Sequence, residues 1–273
     1  NITKYFASEV DKHAIAETMA NFPNTEQIGD VRFLSVDDLH IDLLIGGSPC
    51  QSFSFSGKGE GMISSTNEEI LTLGRYLELK NENFEFKGQS YLFWEYIRVL
   101  RELKITNPNI KFLLENVVMS KKWESVITET LGVECIKINS ALLSAQNRVR
   151  LYWTNIPNVE QPIDTEINLV SILENDEHIG PAAIRGRKLR NATIVGRRLN
   201  SEGKRDDYNL DIPIIQYLEV RKTNKNKSNC LTTVGKDNVL TSLEPGRYPN
   251  AFSGEHEFRY YTLTEWCRLQ TVP

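Results

Sequence analysis

Two hydrophobic rhythms alternate through the first 157 residues, and this restricts the fold more than any other feature. Lys4 to Ser8 reads as a short strand, and Asp11 to Phe22 as a helix with Ala14, Ile15, Thr18, Met19 and Phe22 in its apolar pattern. Ile41 to Ile45 is an apolar run that stops at Gly46-Gly47. Leu92, Phe93, Tyr96, Ile97, Leu100 and Leu103 share a helical face, and Lys111 to Leu114 is another buried strand. Trp123 to Leu131 predicts a helix closed by Gly132 at a C-cap. Val133 to Ile138 and Arg150 to Thr154 predict two further strands, expected as an antiparallel pair. Strands alternating with helices imply a parallel sheet covered on both faces, and an antiparallel pair at its end makes the sheet mixed. The fold class expected is α/β, a Rossmann-like mixed sheet with helices on both faces.

After residue 157 the alternation stops. Turns, basic runs and strand-like pieces (Ile212 to Val220, Cys230 to Val234) predict a small, irregular, mainly β lobe over 158–256. Residues 257–273 turn helical around Thr264 to Leu269, with Thr264 as N-cap, and are expected to lead back to the core. Residues 64–90 are polar and are expected to form a mobile excursion from the loop after Cys50.

Charge is unevenly spread. Residues 181–236 carry 13 Lys and Arg against 5 Asp and Glu, while the remainder carries 19 against 31. One acidic body with one basic segment suggests contact with a polyanion. No stretch approaches eighteen consecutive apolar residues, so no membrane-spanning helix is expected. The N-terminal residues do not read as a signal peptide. Cys50, Cys135, Cys230 and Cys267 are far apart and form no C-x-x-C, which argues against a zinc site or disulfide scaffold and fits a reducing cytosol.

The chemistry is expected beyond the carboxyl ends of two buried strands, where ligands bind in open α/β sheets. One end reads Gly46-Gly47-Ser48-Pro49-Cys50-Gln51-Ser52, continuing to Lys58; the other reads Leu113-Leu114-Glu115-Asn116-Val117. A cysteine held between glycines and a proline suits a nucleophile, whose reactive form is the thiolate.

Together these segments resemble the DNA cytosine-5 methyltransferases. Pro49-Cys50-Gln51 is similar to the family's nucleophile loop, Glu115-Asn116-Val117 to its Glu-Asn-Val motif, and Gln146-Asn147-Arg148-Val149-Arg150 to its Gln-x-Arg-x-Arg motif. Arg259 to Pro273, with Leu263-Thr264, Glu265 and Arg268-Leu269-Gln270, resembles the motif that follows the target-recognition region. The resemblance runs over nearly the whole chain. It implies an S-adenosylmethionine-dependent methyltransferase core at 1–157, a target-recognition lobe at 158–256 and a return segment at 257–273.

The resemblance also implies roles. Cys50 attacks C6 of cytosine, Glu115 supplies a proton or hydrogen bond at N3, Arg150 contacts O2, and Arg148 supports the site. Glu9 and Asp30 match the residues on the ribose and adenine of S-adenosylmethionine, and Val31, Pro49 and Leu92 match positions lining that cofactor. The partner implied is double-stranded DNA, with the base flipped from the stack. Gln51, Ser52 and Lys58 in the loop Gln51 to Gly61, and Arg185, Arg187, Lys188, Arg190, Arg197 and Arg198 in the basic lobe, are the expected DNA contacts. No metal is expected. The family's first strand, with its glycine-rich loop, is expected upstream of Asn1, and its closing motif after Pro273. A cytoplasmic protein of bacterial or phage origin, associated with the nucleoid and serving restriction-modification, fits this reading. Two alternatives are methylation of cytosine in tRNA by the same catalytic groups and a non-catalytic DNA-binding paralogue; an intact Cys50, Glu115 and Arg150 argue against the second.

Overall fold

The structure, a computed structural model, describes residues 2–50, 52–53, 61–174, 179–204, 206–222, 226–231, 238–249 and 257–271. Its contacts divide the chain into two units: Asn1–Ile138 with Arg150–Val159, and Asn139–Val149 with Glu160–Pro273.

In the first unit, β1 (Tyr5–Ala7) leads into α1 (Lys12–Asn21). Asp11 fixes the helix start, because its carboxylate accepts from the N–H groups of His13 and Ala14, which lack partners within the helix. β2 (Thr25–Gln27) runs parallel to β1. A 3-10 turn at Val31–Phe33 and β3 (Leu43–Gly47) follow, then α2 (Leu73–Asn81), α3 (Leu92–Thr106), β4 (Lys111–Val117), α4 (Lys121–Leu131), β5 (Ile136–Asn139) and β6 (Val149–Thr154). Gly132 ends α4 in the left-handed conformation at φ 70°.

Four strands join in the order β3-β4-β6-β5. β3 and β4 are parallel, and β6 is antiparallel to β4, so the sheet is mixed as expected. β1 and β2 form their own pair, and among the described residues no ladder joins it to β3. Among the described residues β3 is therefore an end strand, with Leu43 and Ile45 45% and 59% exposed. The core of this unit gathers Phe93, Trp94, Ile97, Leu100 and Leu103 of α3 with Phe112, Leu114 and Trp153 of the sheet. Burying each such side chain stabilises by about 1.5–3 kcal/mol.

Residues 64–90 are not the mobile excursion that their polarity suggests. They contain α2, which buries Leu73, Tyr76 and Leu79, and Ile70 just before it is fully buried. The apolar residues recur every third position and so share one face. The polar ones are paired: Arg75 binds Glu68 at 2.6 Å. Phe86 stacks on Tyr91 with ring centroids 4.5 Å apart, tying the segment's end to the start of α3.

The second unit contains α5 (Leu169–Ile172), β7 (Arg190–Arg197), β8 (Ile215–Val220), β9 (Val239–Thr241), β10 (Gly246–Tyr248), β11 (Phe258–Tyr260) and α6 (Leu263–Leu269). Among the described residues its strands form one antiparallel sheet, ordered β10-β8-β7-β9-β11. Of the expected strand at Cys230 to Val234, residues 232–234 lie outside the described residues. Residues 257–271 belong to this unit, where β11 pairs with β9. The N-cap of α6 is Thr262, not Thr264: Thr262 accepts from the Glu265 N–H while the Glu265 carboxylate accepts from the Thr262 N–H. That reciprocal pair satisfies two orphan donors, which Thr264, already inside the helix, cannot do.

Candidate active site

The parallel pairing of β3 and β4 sets Gly47 opposite Glu115. Cys50 follows three residues later, so the expected nucleophile and the carboxylate leave the sheet at the same end. Gly46 is required by packing. A Cβ there would lie 2.6 Å from the Tyr96 ring, so α3 can approach the strand only over a bare backbone. Asn116, fully enclosed beside Glu115, donates to both the carbonyl and the hydroxyl of Ser48, at 3.2 and 3.0 Å. The Glu-Asn-Val segment thereby holds the approach to Cys50.

Cys50 is half-buried and carries a free thiol. Its carbonyl accepts from the Phe53 N–H at 3.0 Å, closing a turn. Ser90, fully buried just ahead of α3, donates its hydroxyl to the Pro49 carbonyl at 2.9 Å and accepts from the Ser52 N–H at 3.3 Å. Beyond this turn Gln51, residues 54–57, Lys58 and residues 59–60 lie outside the described residues. The described ends of that loop are pinned together: Gly61 N–H donates to the Ser52 carbonyl at 2.7 Å. Gly61 adopts φ 75° and lies so close to Trp123 that no side chain fits. Phe53 meets the same indole edge-on at 6.2 Å. Ser52 is buried by these contacts.

Glu115 is ion-paired. The Arg150 Nε lies 2.9 Å from its Oε1, with the guanidinium 14% and the carboxylate 33% exposed. The strand ladder explains the meeting. Tyr152 stands opposite Glu115 and Arg150 opposite Val117, so Arg150 reaches the carboxylate diagonally on one face. Arg148 belongs to the second unit, where its guanidinium lies 3.6 Å from the Cys230 sulfur. In that unit Gln146 bridges to Ser228, and Lys227 donates to the carbonyls of Ala141 (2.6 Å), Ser144 (3.0 Å) and Ile167.

The expected cofactor residues sit at the carboxyl ends of β1 and β2. Glu9 follows β1 and Asp30 follows β2; the Ser8 hydroxyl donates to the Gly29 carbonyl between them at 2.7 Å. Glu9 Oε1 accepts from the N–H groups of Val10 and Asp11 at 2.7 and 2.9 Å, which orients the carboxylate. Asp30 caps the 3-10 turn and binds Arg32 in a fork, with contacts down to 2.5 Å. The Arg32 side chain beside it holds the Asp30 carboxyl below its usual range, against the opposing effect of burial. Two carboxylates on adjacent parallel strands are the acceptor set that ribose hydroxyls and the amino group of a base require, so these residues fit a nucleoside; Arg32 must share Asp30 with it. Val31, Pro49 and Leu92 are half-buried.

The basic residues of the second unit divide in two. Arg185, Arg187 and Lys188 are exposed, and of these Arg185 also donates its Nε to the Gly180 carbonyl at 2.8 Å. Arg190 is engaged by Glu244 at 2.6 Å, and Arg197 donates to the Gly196 carbonyl at 3.1 Å. Arg198 is committed to its own loop, donating to the carbonyls of Ile212 and Asp207 at 2.9 and 3.5 Å. Ser90 was not among the expected site residues, because it gives no periodic signal in the sequence. Glu95 and Arg98 were not among them either, and their i, i+3 spacing on α3 is the one clue the sequence holds. No described helix is long and apolar enough to cross a membrane, and no cluster of three metal-ligating side chains occurs among the described residues.

A mixed sheet with a cysteine loop, a Glu-Asn-Val strand and an arginine from the antiparallel strand beside it defines a methyltransferase-like class of site. The model of the C-5 cytosine-specific DNA methylase family matches residues 1–273, and the chain belongs to that family. It is 31% identical to the Type II methyltransferase M1.ScrFI of Lactococcus lactis subsp. cremoris over 55% of this chain and 35% of that one. It is 30% identical to the Type II methyltransferase M.Bsp6I of Bacillus sp. (strain RFL6) over 58% and 47%. The chain thus spans about a third to a half of the length of these curated relatives. Among solved structures, a candidate DNA modification methyltransferase encoded within an E. coli prophage matches with a TM-score of 0.51 at 19% identity, covering 98% of this chain and 82% of that one. That likeness carries the fold alone.

Proposed function

We propose that this protein transfers a methyl group from S-adenosylmethionine to C5 of a cytosine flipped out of double-stranded DNA, through a covalent bond to Cys50. The observation that supports it most is the β3–β4 register, which sends the Cys50 loop and Glu115 off the same end of the sheet, with Arg150 paired to Glu115 at 2.9 Å. Family membership supplies the reaction class.

C5 of cytosine is too weak a nucleophile to take a methyl group directly. Addition of the Cys50 thiolate to C6 moves the C5–C6 electron pair onto C5. Glu115, hydrogen-bonded to N3, draws charge from the ring and eases that addition. Arg150 holds the carboxylate through Nε and offers the same guanidinium plane to O2. Bound S-adenosylmethionine supplies a methyl group activated by its sulfonium charge; Glu9 and Asp30 hold its ribose and adenine, and Val31, Pro49 and Leu92 line it. C5 then bears both a methyl group and a proton. Loss of that proton to a base restores the double bond and expels Cys50 as thiolate. The target atom is inaccessible inside a duplex, so the base must be flipped. Arg148 supports the site, Gln51, Ser52 and Lys58 belong to the loop that covers the base, and Arg185, Arg187 and Lys188 face the DNA, while Arg190, Arg197 and Arg198 brace the lobe that carries them. The protein acts in the cytoplasm of a bacterium or phage-infected cell, in restriction-modification.

The test is trapping. Duplex DNA carrying 5-fluorocytosine should form a stable adduct, because fluorine cannot leave as a proton does, and peptide mapping should place it on Cys50. Cys50→Ser should abolish adduct and turnover while DNA binding survives. Turnover by Cys50→Ser at the wild-type rate would overturn the mechanism, and preference for tRNA over duplex DNA in competition would overturn the substrate.

A further inference from the structure

Glu95 lies in the middle of α3 with no solvent exposure, and an uncompensated charge there would be costly. Its compensation is threefold. The Tyr76 hydroxyl donates to Oε1 at 2.6 Å, Lys80 to Oε1 at 2.5 Å, and Arg98 Nε to Oε2 at 2.7 Å. The two cations do not stop at Glu95. Lys80 also donates to the carbonyl of Arg32 at 2.7 Å. Arg98 donates to the carbonyl of Val31 at 2.8 Å and to that of Leu34 at 3.0 Å, steadied from the far side by Glu102 at 2.8 and 3.0 Å. Three of the four carbonyls in residues 31–34 are therefore held by two cations anchored on one buried carboxylate.

The grip reaches the side chain of Asp30 through a rigid unit. The Val31 carbonyl and the Arg32 N–H are two ends of one planar peptide. Arg98 fixes the carbonyl end; the N–H end donates to Asp30 Oδ1 at 2.9 Å. Turning that plane would break both bonds. We infer that Glu95, Lys80 and Arg98 are positioning residues for the nucleoside end of the methyl donor, setting the path of residues 31–34 and through it the aim of Asp30 and Val31. The inference rests on the assignment of Asp30 and Val31 to the cofactor.

Lys80 is the residue to change first, since it is 29% exposed and its loss leaves Arg98 and Tyr76 on Glu95. Calorimetry of S-adenosylhomocysteine binding should show Lys80→Met weakened about tenfold, the scale of one charge-assisted hydrogen bond. Lys80→Arg, which keeps both contacts within reach, should recover most of it. In turnover, KM for the methyl donor should rise while kcat and KM for DNA stay near wild type, a split that general loosening of the fold would not give. Arg98→Lys, which keeps the charge but cannot span both carbonyls, is the second variant and should weaken cofactor binding in the same way. If Asp30→Ala and Val31→Ala weaken binding but Lys80→Met and Arg98→Lys do not, the inference is overturned and the cofactor assignment stands. If none of the four weakens it, the assignment itself falls and takes the inference with it.

Discussion

The hydroxyl of Ser90 donates to the carbonyl of Pro49 at 2.9 Å, immediately before Cys50 in the chain. The same oxygen accepts from the Ser52 N–H, so one buried hydroxyl spans the cysteine from both sides. Ser90→Ala removes the span and leaves the Pro49 carbonyl and the Ser52 N–H without it. Since a displacement of about 1 Å costs on the order of a hundredfold in rate, adduct formation with 5-fluorocytosine DNA should slow by roughly 10–100-fold. DNA affinity should be unchanged, and single-turnover trapping beside a binding isotherm separates the two.

The Glu115–Arg150 pair leads to a second expectation. Glu115→Gln keeps the shape but cannot deliver a proton, and should lower kcat by about 10²–10⁴. Arg150→Met frees the carboxylate and takes the guanidinium away from the base, so kcat should fall and KM for DNA rise. An Arg150→Met enzyme with unaltered kcat would mean that the ion pair is only structural.

Among the basic residues, the exposed ones should behave differently from those that brace their own unit. Replacing Arg185, Arg187 and Lys188 together by Ala should weaken DNA binding and flatten its salt dependence by about 0.9 for each phosphate no longer neutralised. Arg198→Ala should instead lower thermal stability, because its guanidinium holds the carbonyls of Ile212 and Asp207. Salt titrations beside melting curves distinguish the two groups; an unchanged salt slope in the triple variant would place the phosphate-binding residues elsewhere.

Acid should loosen the second unit through Glu265. Burial pushes this carboxyl up, but the Arg259 fork at 2.7 Å and the N–H groups of Thr262 and Glu174 outweigh it and hold the group below its usual range. A lowered folded-state value stabilises the fold above the unfolded value of about 4.3, and that stability is lost as pH falls through the folded value. Melting temperature followed from about pH 6 to about pH 3 should drop for wild type and change less for Glu265→Gln. Arg259→Met, which strands a buried carboxylate, should cost about 3–5 kcal/mol at neutral pH.

Much of the first unit is legible in the sequence because its signals are local. Asp11 before an apolar period, Gly132 after one, and apolar runs ending in Gly46-Gly47 or Glu115 each mark an element by themselves. α2 escapes because its segment is polar on average, and only pairing such as Arg75 with Glu68 lets it pack. Thr264 stands nearer the helical run and so reads as the cap, but the decisive partner, Glu265, is three residues after Thr262 and forms a box seen only in the fold. Within the site, strand ends and residue types point to Cys50 and Glu115, and Arg150 is reached through the resemblance of its motif to the family's. Neither the fork between Asp30 and Arg32 nor the bridging role of Ser90 has a sequence signature, since each depends on how a turn closes.

The antiparallel course of β6 has a further effect. Arg150 meets Glu115 only because Val117 stands opposite Arg150, and side chains in a strand change face at every residue. Slipping β6 by a single position would carry the guanidinium to the face where Leu151 and Trp153 are now buried, and would bring an apolar side chain to the carboxylate. A sheet assembled in that register would have a charge in its core and no cation beside Glu115. The same ladder that builds the pair thus rejects its near misses: a molecule in the wrong register buries a charge and loses stability, so the pair forms together with the sheet or not at all.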